Sequence, residues 1–114
     1  MDNREMAKVL AEKVMGWQRI RQSGSEVWRI TEERKILALF YDPATDVAQA
    51  IEAIEAWRDK TGRSWELDSP DFGGDEKFTC TIFHDGRDWG RGDTPAQAIT
   101  KALVKAVKGE NDGS

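Results

Sequence analysis

The clearest structural signal in the chain is the helix pattern of residues 94–109, which read TPAQAITKALVKAVKG. It opens with a threonine that can cap a helix, a proline at the first helical position and a glutamine three residues after the cap. Gly109 is expected to end the helix. Small and apolar residues recur at helical spacing and form one buried face: Ala98, Ile99, Ala102, Leu103, Ala106 and Val107. Because many of them are small, we expect this helix to lie close to a sheet.

Two further helices are indicated upstream. The first runs from about Asn3 to Val14, with Asp2 or Asn3 as its cap and Gly16 in the left-handed conformation after its end. Its apolar stripe consists of Met6, Val9, Leu10 and Val14.

The second of these helices runs from about Pro43 or Thr45 to Thr61 and is stopped by Gly62. Its apolar stripe consists of Val47, Ala50, Ile51, Ile54 and Trp57.

Between the helices the pattern changes to that of strands. Residues 17–21 and 27–30 flank a glycine-containing loop at 22–25, and residues 36–41 indicate a third strand. In the second half, Trp65 and Leu67 alternate with polar residues, and so do Phe78, Cys80 and Ile82. The tight-turn signal of residues 84–86 leads into a last strand around Trp89, and residues 70–75 are expected to form an exposed loop.

The predicted order is αβββαβββα. Strands that follow one another through short turns form a mostly antiparallel sheet, so we predict an α+β fold in which three helices flank such a sheet as an α/β/α layered sandwich. With 114 residues, the chain has the size of one domain. We assign residues 1–108 to it and residues 109–114 to a disordered tail.

The composition favours a globular protein of the cytoplasm. Apolar residues make up 39% and charged residues 33%, no apolar run approaches a membrane span, and the N-terminal residues do not resemble a signal peptide. The net charge of -4 is uneven, since residues 42–78 carry ten acidic against four basic residues. This acidic middle argues against direct binding of nucleic acid.

The chain offers little for metal binding or catalysis. It has one cysteine, Cys80, and one histidine, His84, which supply at most two of the usual four zinc ligands. On one strand they would lie about 13 Å apart, too far for a nucleophile and its base. We therefore predict a core position for Cys80, and neither an enzyme, a metal site nor a cofactor.

Three motifs in this order resemble the phage ABA sandwich domain family: residues 11–17 (AEKVMGW), residues 46–50 (DVAQA) followed by Trp57, and residues 93–99 (DTPAQAI). The resemblance covers roughly residues 5–107 and implies a phage or prophage origin, a helix–sheet–helix fold and location in the host bacterial cell. It carries over no catalytic residues. The charged and then apolar segment from Thr31 to Tyr41 departs from the family pattern, which has a loop with glycine or proline there.

Tryptophan is abundant, and four of the five tryptophans fall in or beside the predicted strands, interleaved with arginines. Such residues can form a platform that stacks bases while arginines reach phosphates; packing in the core or in a dimer interface is the alternative. As the candidate ligand site we name Trp28, Arg29, Trp89 and Arg91.

Acidic residues cluster on the second helix and in the loop after it. They indicate either a solvated face or a surface that binds a basic partner. As the candidate partner surface we name Glu52, Glu55, Asp59, Asp71 and Asp75.

The sequence therefore leaves several functions open. The first hypothesis is a non-enzymatic phage accessory protein that binds a host protein, such as a component of anti-phage defence, in the manner of an anti-CRISPR protein. The second is binding or sequestration of a nucleotide-like anionic ligand through the Trp/Arg strands. An enzyme or a virion-associated structural protein is a further alternative, and a homodimer is compatible with each.

Overall fold

The computed structural model describes residues 2–69, 78–83 and 87–112, with residues 87–88 and 109–112 described as backbone only. Within these ranges the order of the main elements is the predicted αβββαβββα, which confirms the α+β fold. The predicted turn at residues 84–86 and the loop at 70–75 lie outside the described residues.

The first helix, α1 (Asn3–Val9), continues directly into a π-helical turn, Leu10–Val14. Its cap is Asp2, whose carboxylate accepts a hydrogen bond from the Glu5 amide at 2.8 Å. Gly16 follows at φ +71°, so both boundary predictions are confirmed. The wider π-turn makes Met15 N donate to the carbonyl of Leu10, five residues back.

Helix α2 (Val47–Thr61) begins later than the predicted Pro43 or Thr45. The reason is that Asp46 is in an extended conformation and acts as the cap, with its carboxylate accepting from Gln49 N at 3.2 Å. At the other end Gly62 has φ +73° and its amide donates to the Arg58 carbonyl, as expected for a glycine that stops a helix.

Helix α3 (Pro95–Asp112) starts as predicted: Thr94 Oγ1 accepts from Gln97 N at 3.1 Å, and Gln97 Oε1 accepts from Asp93 N at 2.9 Å. It does not end at Gly109 but continues to Asp112. A glycine inside a helix costs only about 1 kcal/mol relative to alanine, so it does not end a helix by itself. The disordered tail at 109–114 stays a prediction.

The strands form two separate three-stranded antiparallel sheets rather than one sheet. The N-terminal sheet contains β1 (Gln18–Gln22), β2 (Ser25–Arg29) and β3 (Lys35–Leu37) in that order. β1 and β2 are joined by Ser23 and Gly24, both at positive φ, which is the signature of a type I′ hairpin turn.

The third strand is shorter than predicted. The sequence indicates a strand over residues 36–41, but β3 ends at Leu37 and a 3-10 helix, Ala38–Phe40, follows. The side chain of Gln49 holds this region to α2, since its Nε2 donates to the Phe40 carbonyl at 2.8 Å and its Oε1 accepts from Asp42 N at 2.7 Å. These bonds turn the chain away from the sheet before Tyr41.

The C-terminal sheet contains β4 (Trp65–Asp68), β5 (Phe78–Phe83) and β6 (Arg87–Gly92), with β5 in the centre. One of its faces packs on the core, since Cys80 and Ile82 are buried there. Opposite Cys80 in the register stand Leu67 on β4 and Gly90 on β6.

The core has a larger and a smaller part, and α1 serves both. Met6, Leu10 and Val14 face the large cluster, which also contains the buried sides of α2, α3 and the C-terminal sheet. Ala7 and Ala11 face the small cluster, whose buried aromatic members are Trp28 and Tyr41. α1 thereby joins the N-terminal sheet to the rest of the fold.

In the described part of the chain, no helix combines the length and the apolar character that crossing a membrane requires.

Candidate functional site

The edge strand β6 places two of the predicted ligand residues side by side. Trp89 and Arg91 alternate along it with Gly90 and Gly92, which lie against α3. Trp89 is 45% exposed. The guanidinium carbon of Arg91 lies 4.6 Å from the centre of its ring, a cation–π contact.

A cleft of about 520 Å³ opens beside this pair. Its other wall is α3, which contributes Lys101 and Lys105, and its apolar lining includes the buried side chains of Met6 and Val104. The two lysines are four residues apart and therefore share one face of the helix. We call this the Trp89 cleft.

The charges of the Trp89 cleft are all of one sign. Three cations line it, Arg91, Lys101 and Lys105, and no carboxylate does so among the described residues. This is notable because the whole chain has a net charge of -4. An exposed indole beside three cations can stack on a flat ring and attract negative charge.

The other two predicted ligand residues lie elsewhere. Trp28 and Arg29 are on β2, in the N-terminal sheet. Trp28 is only 3% exposed and belongs to the small core cluster, while Arg29 is exposed and donates a hydrogen bond to the Gln18 side chain. The structure therefore brings Trp89 together with Arg91 but does not join Trp28 and Arg29 to them.

A second cleft, of about 500 Å³, contains Trp28 and Tyr41. Its charged residues are of both signs: Asp2, Arg4, Glu5, Lys8, Arg19 and Glu26. Arg19 and Glu26 approach to 3.7 Å, and the Asp2 carboxylate caps α1. With three acids and three bases, this cleft has no preference for an anion.

The structure describes three of the five residues of the predicted acidic surface. Glu52 and Asp59 are exposed on α2, and Glu55 is half-buried and pairs with Arg58 at 2.7 Å. Asp71 and Asp75 lie outside the described residues. Two exposed apolar residues that the sequence analysis did not single out stand before α2: Leu39, 76% exposed, and Phe40, 63% exposed.

Cys80 is fully buried, as predicted. Burial raises the pKa of its thiol to about 12, so the nucleophilic thiolate is suppressed at neutral pH. His84 lies outside the described residues. Among the described residues no group of three or more His, Cys, Asp or Glu could hold a metal ion.

Sequence reasoning found Trp89 and Arg91 but missed the lysines and Met6 of the Trp89 cleft. The sequence did indicate that Lys101 and Lys105 share one face of the helix, because they are four residues apart. What it could not show is that β6 lies alongside, since that depends on contacts between distant segments.

A comparison with solved structures finds a protein of similar fold. A phage protein from Bacillus cereus ATCC 14579, known from a 2.0 Å crystal structure, aligns over 90% of both chains with a TM-score of 0.59. The chain shares the fold of that phage protein. The sequence identity is 18%, so the likeness concerns the fold alone. No family model matches the chain, and no curated protein matches it.

Proposed function

We propose that this chain is a non-enzymatic accessory protein of a phage or prophage, of the ABA sandwich family, and that it binds a nucleotide-like anionic ligand in the Trp89 cleft. One observation carries the proposal: an exposed indole under an arginine, in a cleft whose described charged residues are all basic. The three family motifs and the likeness of the fold to a phage protein support the phage origin.

Nucleotide binding in this cleft would combine stacking on the Trp89 ring with attraction of the phosphates to the basic side chains. A base stacked on an aromatic side chain contributes roughly 1–3 kcal/mol to binding. The arginine and the lysines add charge-assisted hydrogen bonds to phosphate. The exposed part of Trp89 supplies apolar area that a ligand would cover.

Thermal shift and titration calorimetry against adenine, guanine, cytosine and uracil nucleotides test the proposal. A ligand at 100 times its dissociation constant stabilises the folded protein by about 2.7 kcal/mol. Trp89→Ala should reduce that shift, because the stacking contribution is lost while the cations remain. Arg19→Ala is the matched control, because Arg19 is an exposed cation of the second cleft and should leave binding unchanged.

The absence of a shift with every nucleotide would refute the proposal, provided that the protein is folded by circular dichroism. Equal binding by Trp89→Ala and the original chain would also refute it, because the ring would then take no part.

A protein partner is the second candidate, and it rests on a different surface. Leu39 and Phe40 expose most of their apolar area, and Glu52 and Asp59 on α2 add negative charge. A component of host anti-phage defence with a basic, partly apolar surface would fit them.

The test of this candidate is purification from a bacterial lysate with identification of what is retained. A defence protein held by the original chain and by Trp89→Ala, but lost by the double variant Leu39→Ser, Phe40→Ser, supports it. Retention of a second copy alone, seen as a dimer mass in light scattering, would contradict it and favour self-association.

A further inference from the structure

The two walls of the Trp89 cleft present charge in different ways. On the strand wall Arg91 is held over the Trp89 ring at 4.6 Å, so its charge is fixed beside the place where a base would stack. On the helix wall Lys101 and Lys105 form a row along α3. At a rise of 1.5 Å per residue, their backbones are about 6 Å apart along the helix axis.

The lysine row lacks a neutralising partner among the side chains that the structure describes. Both ion pairs found there belong to other residues, Arg19 with Glu26 and Arg58 with Glu55. Like charges four residues apart on a helix repel each other and weaken it. A ligand with several negative groups would relieve this repulsion, whereas a single phosphate group at one end of the row would leave part of it in place.

From this arrangement we infer that the ligand is a nucleoside di- or triphosphate rather than a monophosphate, with its base on Trp89 and its phosphate chain along Lys101 and Lys105. The inference rests on the proposed function and narrows its ligand class. Extended polyphosphate matches a row of point charges, and lysine binds phosphate as a point charge.

The experiment compares AMP, ADP and ATP at one fixed, low salt concentration by titration calorimetry. We expect ATP to bind at least tenfold more tightly than AMP, since one additional charge-assisted contact corresponds to about that factor. Raising the salt concentration should reduce ATP binding more than AMP binding, because more ionic contacts are screened.

Four variants test which residues cause the preference for ATP over AMP. Lys105→Ala should reduce the ratio of ATP to AMP affinity towards one while AMP still binds, and Lys105→Arg should retain most of the ratio. Lys108→Ala is the control on the same helix, because Lys108 lines another cleft. Trp89→Ala should weaken AMP, ADP and ATP by the same factor.

Inorganic tripolyphosphate separates the phosphate chain from the base. Tripolyphosphate should bind more weakly than ATP, and its affinity should be the same for Trp89→Ala and for the original chain. Equal affinities for AMP and ATP, or an unchanged ratio in Lys105→Ala, would overturn the inference and leave the proposed function standing. Failure of every nucleotide to bind would overturn both.

Discussion

Gly90 on β6 lies directly against the backbone of Ala102 on α3. A Cβ atom placed on Gly90 would come within 2.4 Å of the Ala102 amide nitrogen and 2.6 Å of the Ala98 carbonyl oxygen. Backbone atoms cannot rotate away as the end of a side chain can. The close approach of strand and helix therefore depends on this glycine.

Substitution of Gly90 by alanine should therefore destabilise the protein. Overpacking costs typically about 1–3 kcal/mol, and we expect the upper end because both nearest atoms belong to the backbone. Urea unfolding followed by circular dichroism measures it. Gly62→Ala is the comparison, because a Cβ atom on Gly62 meets nothing within 4 Å. Its φ of +73° is unfavourable for alanine, so this variant should lose about 1–2 kcal/mol of stability through backbone conformation alone. An unchanged urea midpoint for Gly90→Ala would contradict the packing seen here.

The start of α3 offers a second stability test. Thr94→Ala removes the hydroxyl that accepts from Gln97 N, and loss of such a cap costs about 1 kcal/mol. Thr94→Ser keeps the hydroxyl and should unfold at nearly the original urea concentration. If serine were as destabilising as alanine, the threonine methyl group rather than the cap would be the cause.

The sequence predicted all three helices and four of their six ends, because those signals are local. Asp2, Thr94 and Gly62 act through hydrogen bonds or dihedral angles within a few residues, and each does what the pattern indicates. The start of α2 was misjudged because several residues before Val47 can serve as a cap. Only the structure shows that Asp46 does so.

The strand pairing and the site depended on contacts between distant segments. Alternation indicates that Trp28 and Trp89 lie on strands, but it does not say which strands share a sheet. Trp28 became a core residue because Ala7 and Ala11 of α1 and Tyr41 cover it. Tyr41 in turn packs on Trp17 in an edge-to-face contact, with ring centres 4.8 Å apart. The spacing of apolar and polar residues along the sequence does not predict any of these contacts.

The buried thiol predicts a decline of stability at alkaline pH. In the folded protein the pKa of Cys80 is raised to about 12 from its ordinary 9.0, so the unfolded chain loses this proton first. Its contribution is fully present below pH 9 and is lost as the pH rises towards 12. Urea midpoints between pH 7 and pH 10 should fall above pH 9, and Cys80→Ala should make this fall shallower.

A thiol reagent gives an independent reading of the same burial. At pH 8 Cys80 should react slowly in the native protein and rapidly in concentrated urea, because only the exposed thiolate is reactive. Fast reaction without denaturant would show that the C-terminal sheet opens around β5.

Removal of the Tyr41 hydroxyl is expected to stabilise the protein. Tyr41 is 4% exposed, and its hydroxyl has no hydrogen-bond partner among the described residues. Because an unsatisfied buried polar group costs about 1–3 kcal/mol, Tyr41→Phe should raise the free energy of unfolding, by about 1 kcal/mol. The ring and its contact with Trp17 remain, so urea unfolding isolates the hydroxyl.

The same variant should also change the response to alkali. Burial, with Glu52 adding to it, raises the pKa of Tyr41 well above its ordinary 10.0, so the native phenol stays protonated where the unfolded one ionises. Ionisation of this phenol therefore does not affect the free energy of unfolding below pH 10 and lowers it above pH 10, where the unfolded chain loses the proton first. Tyr41→Phe should reduce the loss of stability above pH 10 and leave the part due to Cys80, between pH 9 and 10, in place. Destabilisation by Tyr41→Phe at neutral pH would instead show that the hydroxyl has a bound partner, such as an ordered water.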